Sequence, residues 1–478
     1  MPTTLTPMGN EVMPGQETWA AYCAIVSLVL LLWLIIRGQM QAFVALLVVS
    51  VVLGLATGMP PLRVVQALGQ GVGDIAREVI LVLTLGAMLG RVLEASRAAE
   101  ILAQTLLRWF GETRASLAVL LAAYLVGLPV LFNVGFLLLI SIVYQLQEKT
   151  GKSLLYYGTP MAFSLGVVHS LVPPHPGIVY AVSALQGNFV SVMVWGALLA
   201  WPMALVGWYG VGKYWAARQF VAVPAVLRQT TLPNVPPAVR HFGEALLLVV
   251  LPLLLSAMGF AVEILERTQA LPSWTREPLY WPGTSWHTHS LTHWLRFFGH
   301  PIVALATPIA SGMVLCWWRA GFGRAELAKL ASKGLEDVGS IALLFLAAGA
   351  FKQILQESGA GQQLARWILA LPLSPALLCY LVAVAMRIAL GSATAAIVTA
   401  APLLAPFATK YPGQETLLIL ALACGITFMT QPADSGFWMV KEYFNLSVRD
   451  VMLYFNAGRI AMSVFGIAVI LMVEQLML

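Results

Sequence analysis

The chain has 478 residues, 59% hydrophobic and only 10% charged, and its 27 Lys and Arg exceed its 21 Asp and Glu for a net charge of +6. A soluble domain carries about 25% charged residues, so this chain has too little polar surface to face water on every side. The basic excess lies in short loops between apolar runs, which marks membrane topology and argues against a nucleic-acid surface.

A membrane helix needs roughly 20 apolar residues, and the first candidate is Trp19–Ile36. No Lys or Arg precedes Arg37, and the run is too long for the apolar core of a cleaved signal, so a retained helix is expected with the N-terminus outside. Ala42–Gly58 then runs outward and Ile75–Leu93 inward, leaving Arg97, Arg108 and Arg114 inside on a short amphipathic stretch. Leu117–Leu146 carries Gly127-Leu128-Pro129 near its middle and is expected to be a re-entrant hairpin returning to the inside. Tyr156–Gln186 crosses outward with a break at Ser170–Gly177, and Phe189–Gly212 returns to the basic loop Lys213–Arg240. Phe242–Ile264 crosses outward again. The loop Leu265–His300 is then external, and its Trp274, Trp281, Trp286 and Trp294 suit interfacial anchoring.

The second half begins with Pro301–Trp318 running inward, opposite to Ala42–Gly58. A weak repeat relates the halves: Gly71-Val72-Gly73-Asp74-Ile75 matches Gly334-Leu335-Glu336-Asp337-Val338, Gly86-Ala87 matches Gly349-Ala350, and Leu128–Asn133 matches Gly391–Ala396, all at an offset of 263 residues. The expected fold is therefore an all-α polytopic membrane protein of two inverted-topology repeats, with a scaffold and a transport domain. Its parts are residues 1–41 (external segment and first helix) and 42–212 (repeat 1, hairpin 117–146, broken helix 156–186). Then come 213–300 (basic loop, linking helix 242–264, external loop) and 301–478 (repeat 2, hairpin 374–409, broken helix 416–441). Both termini fall outside, and most of the Lys and Arg fall inside.

Four backbone breaks lie at membrane depth, where unpaired N–H and C=O groups persist only if protein or a watery cavity meets them. The first tip, Gly127–Gly135, places the amide of Asn133 in an apolar run, as a ligand contact or a backbone cap. The first broken helix carries His169-Ser170-Leu171-Val172-Pro173-Pro174-His175-Pro176-Gly177, whose three prolines remove three donors. Two ionisable groups flanking such a break are a functional hypothesis by default. The second tip, Gly391-Ser392-Ala393-Thr394, sets two hydroxyls beside a helix N-terminus able to hold a carboxylate; small-residue helix packing is the alternative. The second broken helix carries Gln431-Pro432-Ala433-Asp434-Ser435-Gly436. Desolvation favours the neutral form of such a carboxylate, which suits proton loading; capping the next helix is the alternative. Lys352, Arg387 and Arg459 are the basic residues within spans, and Lys352 or Arg387 either pairs with Asp434 or attracts an anionic substrate. The four cysteines have no metal-ligand spacing and read as packing residues.

The strings His169–Gly177 (HSLVPPHPG), Gly349–Gln353 (GAFKQ), Gly391–Thr394 (GSAT) and Asp434–Leu446 (DSGFWMVKEYFNL), in this order, resemble the gluconate permease family of proton symporters within the ion-transporter superfamily. That resemblance implies uptake of a small sugar acid with protons through a bacterial inner membrane, by elevator-like movement of a homodimer. On this reading Asn133, Ser170, Gly391, Ser392, Thr394 and Ser435 bind substrate, and Asp434, His169 and His175 handle the proton. No metal or other cofactor is implied, and Na⁺ stays open as the coupling ion. The chain departs from the family pattern at Asn133, where relatives tend to be acidic, and at Gln431-Pro432-Ala433. A rival cargo is another organic anion such as glycerate or a di- or tricarboxylate. An intramembrane enzyme using His169, His175 and Asp434, or a transport-dead sensor or channel, are rivals from other classes; the proline-rich frame and the repeat argue against the enzyme.

Overall fold

The computed structural model describes residues 16–224, 237–280, 287–432 and 434–477. The segment before residue 16 that was expected to be external, much of the basic loop, Trp281, Trp286 and Ala433 lie outside the described residues.

Long apolar runs with few breakers become long helices. The first half comprises α1 (Gln16–Ile36), α2 (Ala42–Ala56), α3 (Pro61–Ile75) and α4 (Leu81–Ala95). A π-helical turn, Ala76–Ile80, joins α3 to α4 in one rod. The chain then bends by 61° into the amphipathic α5 (Ala98–Phe110). There follow α6 (Ala115–Gly127), α7 (Phe132–Thr150), α8 (Leu155–Leu171), α9 (Pro176–Ala184), α10 (Phe189–Val206) and α11 (Lys213–Arg218). The linking helix α12 (Phe242–Arg267) leads to two short antiparallel strands, β1 (Pro278–Tyr280) and β2 (His287–Ser290), and to α13 (Leu291–Gly299). The second half comprises α14 (Pro301–Ala320), α15 (Arg324–Glu357), α16 (Ala360–Leu369), α17 (Pro375–Leu390), α18 (Ala393–Ala408), α19 (Glu415–Thr427), α20 (Ser435–Tyr443), α21 (Val448–Asp450) and α22 (Asn456–Met477).

The expected all-helical architecture holds except for the β1–β2 ribbon. That ribbon lies in the loop between α12 and α14, where the backbone needs no intrahelical pairing because water can meet it. Among the described residues six helices are long and apolar enough to cross a membrane, or seven when the bent rod is counted as one span. Four others, including α17, α18 and α19, are apolar but shorter.

The uniformly apolar helices α8 and α19 are buried along nearly their whole length. A helix apolar on every side belongs inside the protein, so the two interrupted helices form the centre of the molecule. Around them, exposed Val44, Val48, Leu62, Val65, Trp195, Leu198 and Leu254 give an apolar outer surface suited to lipid. Helices in lipid associate through close packing of small residues. The crossing of α3 with α15 is the tightest case: a Cβ on Gly71 would strike the Gly349 carbonyl oxygen, and a Cβ on Gly349 would strike that of Gly71.

The chain doubles back between α6 and α7. Built Cβ positions at Gly127 and Gly135 lie 3.3 and 2.9 Å from the same Leu165 methyl. The two positions are therefore within about 6 Å of each other, whereas eight residues of straight helix would separate them by about 12 Å. All four cysteines are buried and free.

Candidate functional site

The four breaks meet around one cavity of about 410 Å³, lined by residues 131–134 from the first tip, Gly166, His169, Ser170 and Pro176 from the first broken helix, residues 392–394 from the second tip, and Thr430 with residues 434–436 from the second broken helix. Asp337, Ile341, Phe455 and Arg459 complete the wall. Small-molecule sites typically span roughly 300–1,000 Å³.

At the first break, Pro129 cannot continue α6, and α7 restarts at Phe132 with no side-chain cap. Its first-turn N–H groups are therefore left without intrahelical partners. Asn133 stands in that turn and lines the cavity.

At the second break, α8 ends at Leu171, the Pro173–Pro174 peptide is cis, and Pro176 occupies the first position of α9, where a missing N–H costs nothing. His175 is buried, and its Nε2 lies 2.7 Å from the carbonyl oxygen of Gly127, the last residue of α6. A carbonyl only accepts, so His175 Nε2 carries the proton and donates. In the neutral ring Nδ1 is then an acceptor. It lies 3.1 Å from Nδ1 of His169, which must therefore donate. The remaining nitrogen of His169, Nε2, is left with a free lone pair, and His169 lines the cavity. Ser170 Oγ donates to the Gly166 carbonyl at 3.0 Å, leaving its lone pairs free to accept.

At the third break, Gly391 turns the chain with φ of +73°, a conformation costly for any residue with a Cβ. Ser392 caps α18 by accepting from Ala395 N–H at 3.4 Å. Thr394 lies on the same first turn.

The fourth break is held by two buried side chains. Arg387 is fully buried and donates to Asp434 Oδ2, to the Met429 carbonyl and to the Gly391 carbonyl, each at 2.6 Å. It stitches the second broken helix to the second tip. Asp434 also caps α20 by accepting from Gly436 N–H at 2.9 Å. Asn456 clamps Thr430 by accepting from its N–H at 2.8 Å and donating to its carbonyl at 2.9 Å. The first tip reaches this break too, since a Cβ on Gly436 would lie 3.2 Å from the Phe132 ring.

Of the residues singled out in the sequence, Asn133, His169, Ser170, Ser392, Thr394, Asp434 and Ser435 share the cavity wall. Four candidates do not: Arg387, which holds Asp434 from outside the wall, and three others. His175 lies behind His169, held there by the Gly127 carbonyl. Gly391 is buried and turns the chain, with its carbonyl taken by Arg387. Lys352 sits on α15 away from the cavity, within electrostatic reach of Glu78 and Asp74. The partner of Asp434 is thus Arg387. Asp434 is a paired carboxylate that also fills the capping role offered as the alternative to proton loading. Among the described residues no group of three or more His, Cys, Asp or Glu is placed to hold a metal.

Three wall residues have no role in the sequence reading. Asp337 forms a two-pronged ion pair with Arg91 at 2.6 and 2.7 Å. Among the described residues the buried Thr430 hydroxyl has no partner, and neither has the buried Nε of Arg459. For Arg459 a signal exists in the sequence, because a cation inside an apolar helix is itself suspect.

A family profile described as GntP family permease matches residues 19–477 of the chain. The chain is 32% identical to a gluconate permease of Pseudomonas aeruginosa over 463 residues, covering 96% of this chain and 98% of that one. It is 29% identical to the Gnt-II system L-idonate transporter of Escherichia coli K12 over 453 residues (94% and 97% covered), and 29% identical to the D-serine transporter DsdX of Escherichia coli O6:H1 over 463 residues (95% and 98%). In fold it is similar to the YdaH transporter of Alcanivorax borkumensis, with a TM-score of 0.63 at 15% identity over 90% of this chain and 96% of that one.

Proposed function

The chain belongs to the GntP family of permeases, and from that premise we propose that it is a secondary transporter importing gluconate or a similar small sugar acid with protons across a bacterial inner membrane. It is a membrane transporter and not an enzyme, as its named relatives are permeases and transporters.

The observation that carries the substrate class is the convergence of four helix N-termini, those of α7, α9, α18 and α20, on a single cavity. A helix N-terminus carries about half a positive charge and so favours an anion, and the end of α7 has no side-chain cap on its first-turn N–H groups. Broken helices whose ends point at a substrate carboxylate are a recurring transporter device. Around these ends Asn133, Ser170, Ser392, Thr394 and Ser435 offer amide and hydroxyl groups matched to a polyhydroxylated chain. Gluconate, L-idonate and D-serine, named for three relatives, share a carboxylate with a neighbouring polar carbon and a hydroxyl.

The proton is assigned to the histidine pair. His169, whose Nε2 is the ring nitrogen left to accept, would take the proton from the cavity, while its Nδ1–H stays on His175 and His175 stays anchored to the Gly127 carbonyl. Asp434 is assigned to holding the second break.

An inverted repeat and an elevator movement are part of this reading. Contacts recur in exchanged pairs: α2 packs on α15 and α14 on α4; α6 packs on α8 and α17 on α19; α1 packs on α16 and α12 on α5. At the offset of 263, exchanging Gly71 against Gly349 gives Gly334 against Gly86, and Gly334 packs against Met88, two residues on. The breaks would then travel as one body against α2–α4, α14 and α15, within the homodimer that the family resemblance implies.

Proteoliposomes holding the purified chain test the proposal. Radiolabelled gluconate should accumulate under an inward proton gradient, with choline replacing Na⁺ without effect. His169→Gln should lose gradient-driven accumulation while retaining gluconate counterflow. Absence of uptake of any sugar acid under the gradient would overturn the proposal.

A further inference from the structure

The charged side chains of the cavity wall are held in ion pairs, with one exception. Asp434 is paired with Arg387, and Asp337 with Arg91, which also meets Glu94 at 2.8 Å. The hydrogen-bond polarity running from Gly127 through His175 to His169 describes two neutral rings. Arg459 remains. It is 7% exposed, its Nε has no partner, and no hydrogen bond or ion pair reaches it among the described residues; Asp434 lies within electrostatic reach but holds Arg387. Its position is not slack. It lies on α22 one turn beyond Asn456, whose amide clamps both main-chain groups of Thr430. The clamp also sets the Thr430 side chain at the wall, 3% exposed, with a hydroxyl that has no partner.

A buried guanidinium with no hydrogen-bond partner, sharing a wall with an unpaired hydroxyl, is unfavourable in an empty protein. The arrangement becomes favourable when a carboxylate enters, because a guanidinium fork matches both carboxylate oxygens and the hydroxyl donates to one of them. We infer that Arg459 and Thr430 form the carboxylate receptor of the transport site, and that this one guanidinium without an ion-pair partner sets a preference for cargo with a single carboxylate. This deepens the transport reading above and rests on it. The helix N-termini add to the field that draws the anion in, the amide and hydroxyl groups around them meet the rest of the substrate, and a second carboxylate on the cargo finds no second unpaired guanidinium at the wall among the described residues.

The test is binding of D-gluconate, D-gluconamide, D-glucarate, D-glycerate and D-serine to full-length protein in detergent. In the wild type, replacing the carboxylate of gluconate by the carboxamide should weaken binding at least about a hundredfold, and glucarate should bind more weakly than gluconate. Arg459→Gln should bind gluconate and gluconamide alike. The same variant without ligand should melt at or above the wild-type temperature, because a buried charge with no ion-pair partner has been removed. Thr430→Val should weaken every carboxylate about tenfold and leave gluconamide binding nearly unchanged. If the wild type binds gluconate and Arg459→Gln still prefers it over the carboxamide, the receptor assignment fails while the transport reading stands. If the wild type ignores gluconate but binds glycerate or D-serine in an Arg459-dependent manner, the receptor stands and the sugar-acid cargo fails. No binding of any of these acids overturns both.

Discussion

Replacing Asp434 by Asn separates two roles that the same carboxylate can play. If Asp434 titrates during transport, Asn imitates its protonated form, and the protein should fold normally while losing only its dependence on protons. The geometry points elsewhere. Arg387 is fully buried and Asp434 is 22% exposed, with 2.6 Å between them. Removing one partner of a buried pair costs about 3–5 kcal/mol, chiefly because the other charge is stranded. Arg387 keeps the carbonyls of Met429 and Gly391, and Asp434 is partly solvated, so the lower end, about 3 kcal/mol, is expected. The amide that replaces the carboxylate cannot restore the pair. Its single acceptor oxygen can meet Arg387 or the Gly436 N–H but not both, which adds about 1 kcal/mol. Unfolding of purified protein in mixed micelles, followed by circular dichroism against rising SDS, should show a loss of about 3–4 kcal/mol for Asp434→Asn. A second measurement is the double-mutant cycle with Arg387→Met, in which the two changes should cost clearly less together than the sum of each alone. Wild-type unfolding of Asp434→Asn, with zero coupling to Arg387 and a selective loss of proton dependence, would refute this reasoning and return the proton to Asp434.

Gly349→Val should unfold the crossing of α3 and α15, because a side chain there meets the Gly71 carbonyl and the Ile75 side chain. Overpacking of this kind costs about 1–3 kcal/mol or more, read as a lowered melting temperature and reduced yield, whereas Gly339→Ala, with nothing within 4 Å of the new methyl, should be silent. Asn456→Leu should strand the N–H and the carbonyl of Thr430, at about 1–3 kcal/mol each, and lower both stability and gluconate affinity; unchanged affinity would show that the clamp does not set the site. His175→Phe should remove the donor to the Gly127 carbonyl and the acceptor for His169. Gradient-driven uptake should fall at least tenfold while counterflow persists, and full accumulation by this variant would dismiss the histidine pair.

Much of this architecture was legible because it follows from covalent properties of single residues and of short runs. Pro129, Pro173, Pro174, Pro176 and Pro432 lack an N–H wherever they stand, so breaks near residues 128, 172 and 432 could be placed before any coordinates. Gly391 marked the remaining one. The apolar runs were long enough to demand a bilayer. Ser392 and Asp434 sat in N-cap positions that their side chains do fill. The short ribbon between Pro278 and Ser290 was not legible, since three- and four-residue strands leave no useful periodicity.

The charges were the poorest part of the reading, for a physical reason. Whether a carboxylate in a membrane is a proton carrier or a brace depends on which cation lies within a few ångströms, and sequence separation says nothing about that. Asp434 found Arg387, 47 residues away, and Asp337 found Arg91, 246 residues away. Lys352, equally plausible as a partner, was carried elsewhere by α15. The polarity of the histidine pair was likewise set by a carbonyl, Gly127, on another helix. Composition and proline placement by themselves determined that this chain lives in the membrane and interrupts its helices there. Only the tertiary structure decided that the interruptions share a cavity, which charges pair around it, and that Arg459 has no ion-pair partner among the described residues, because Coulomb pairing is a property of distances in space.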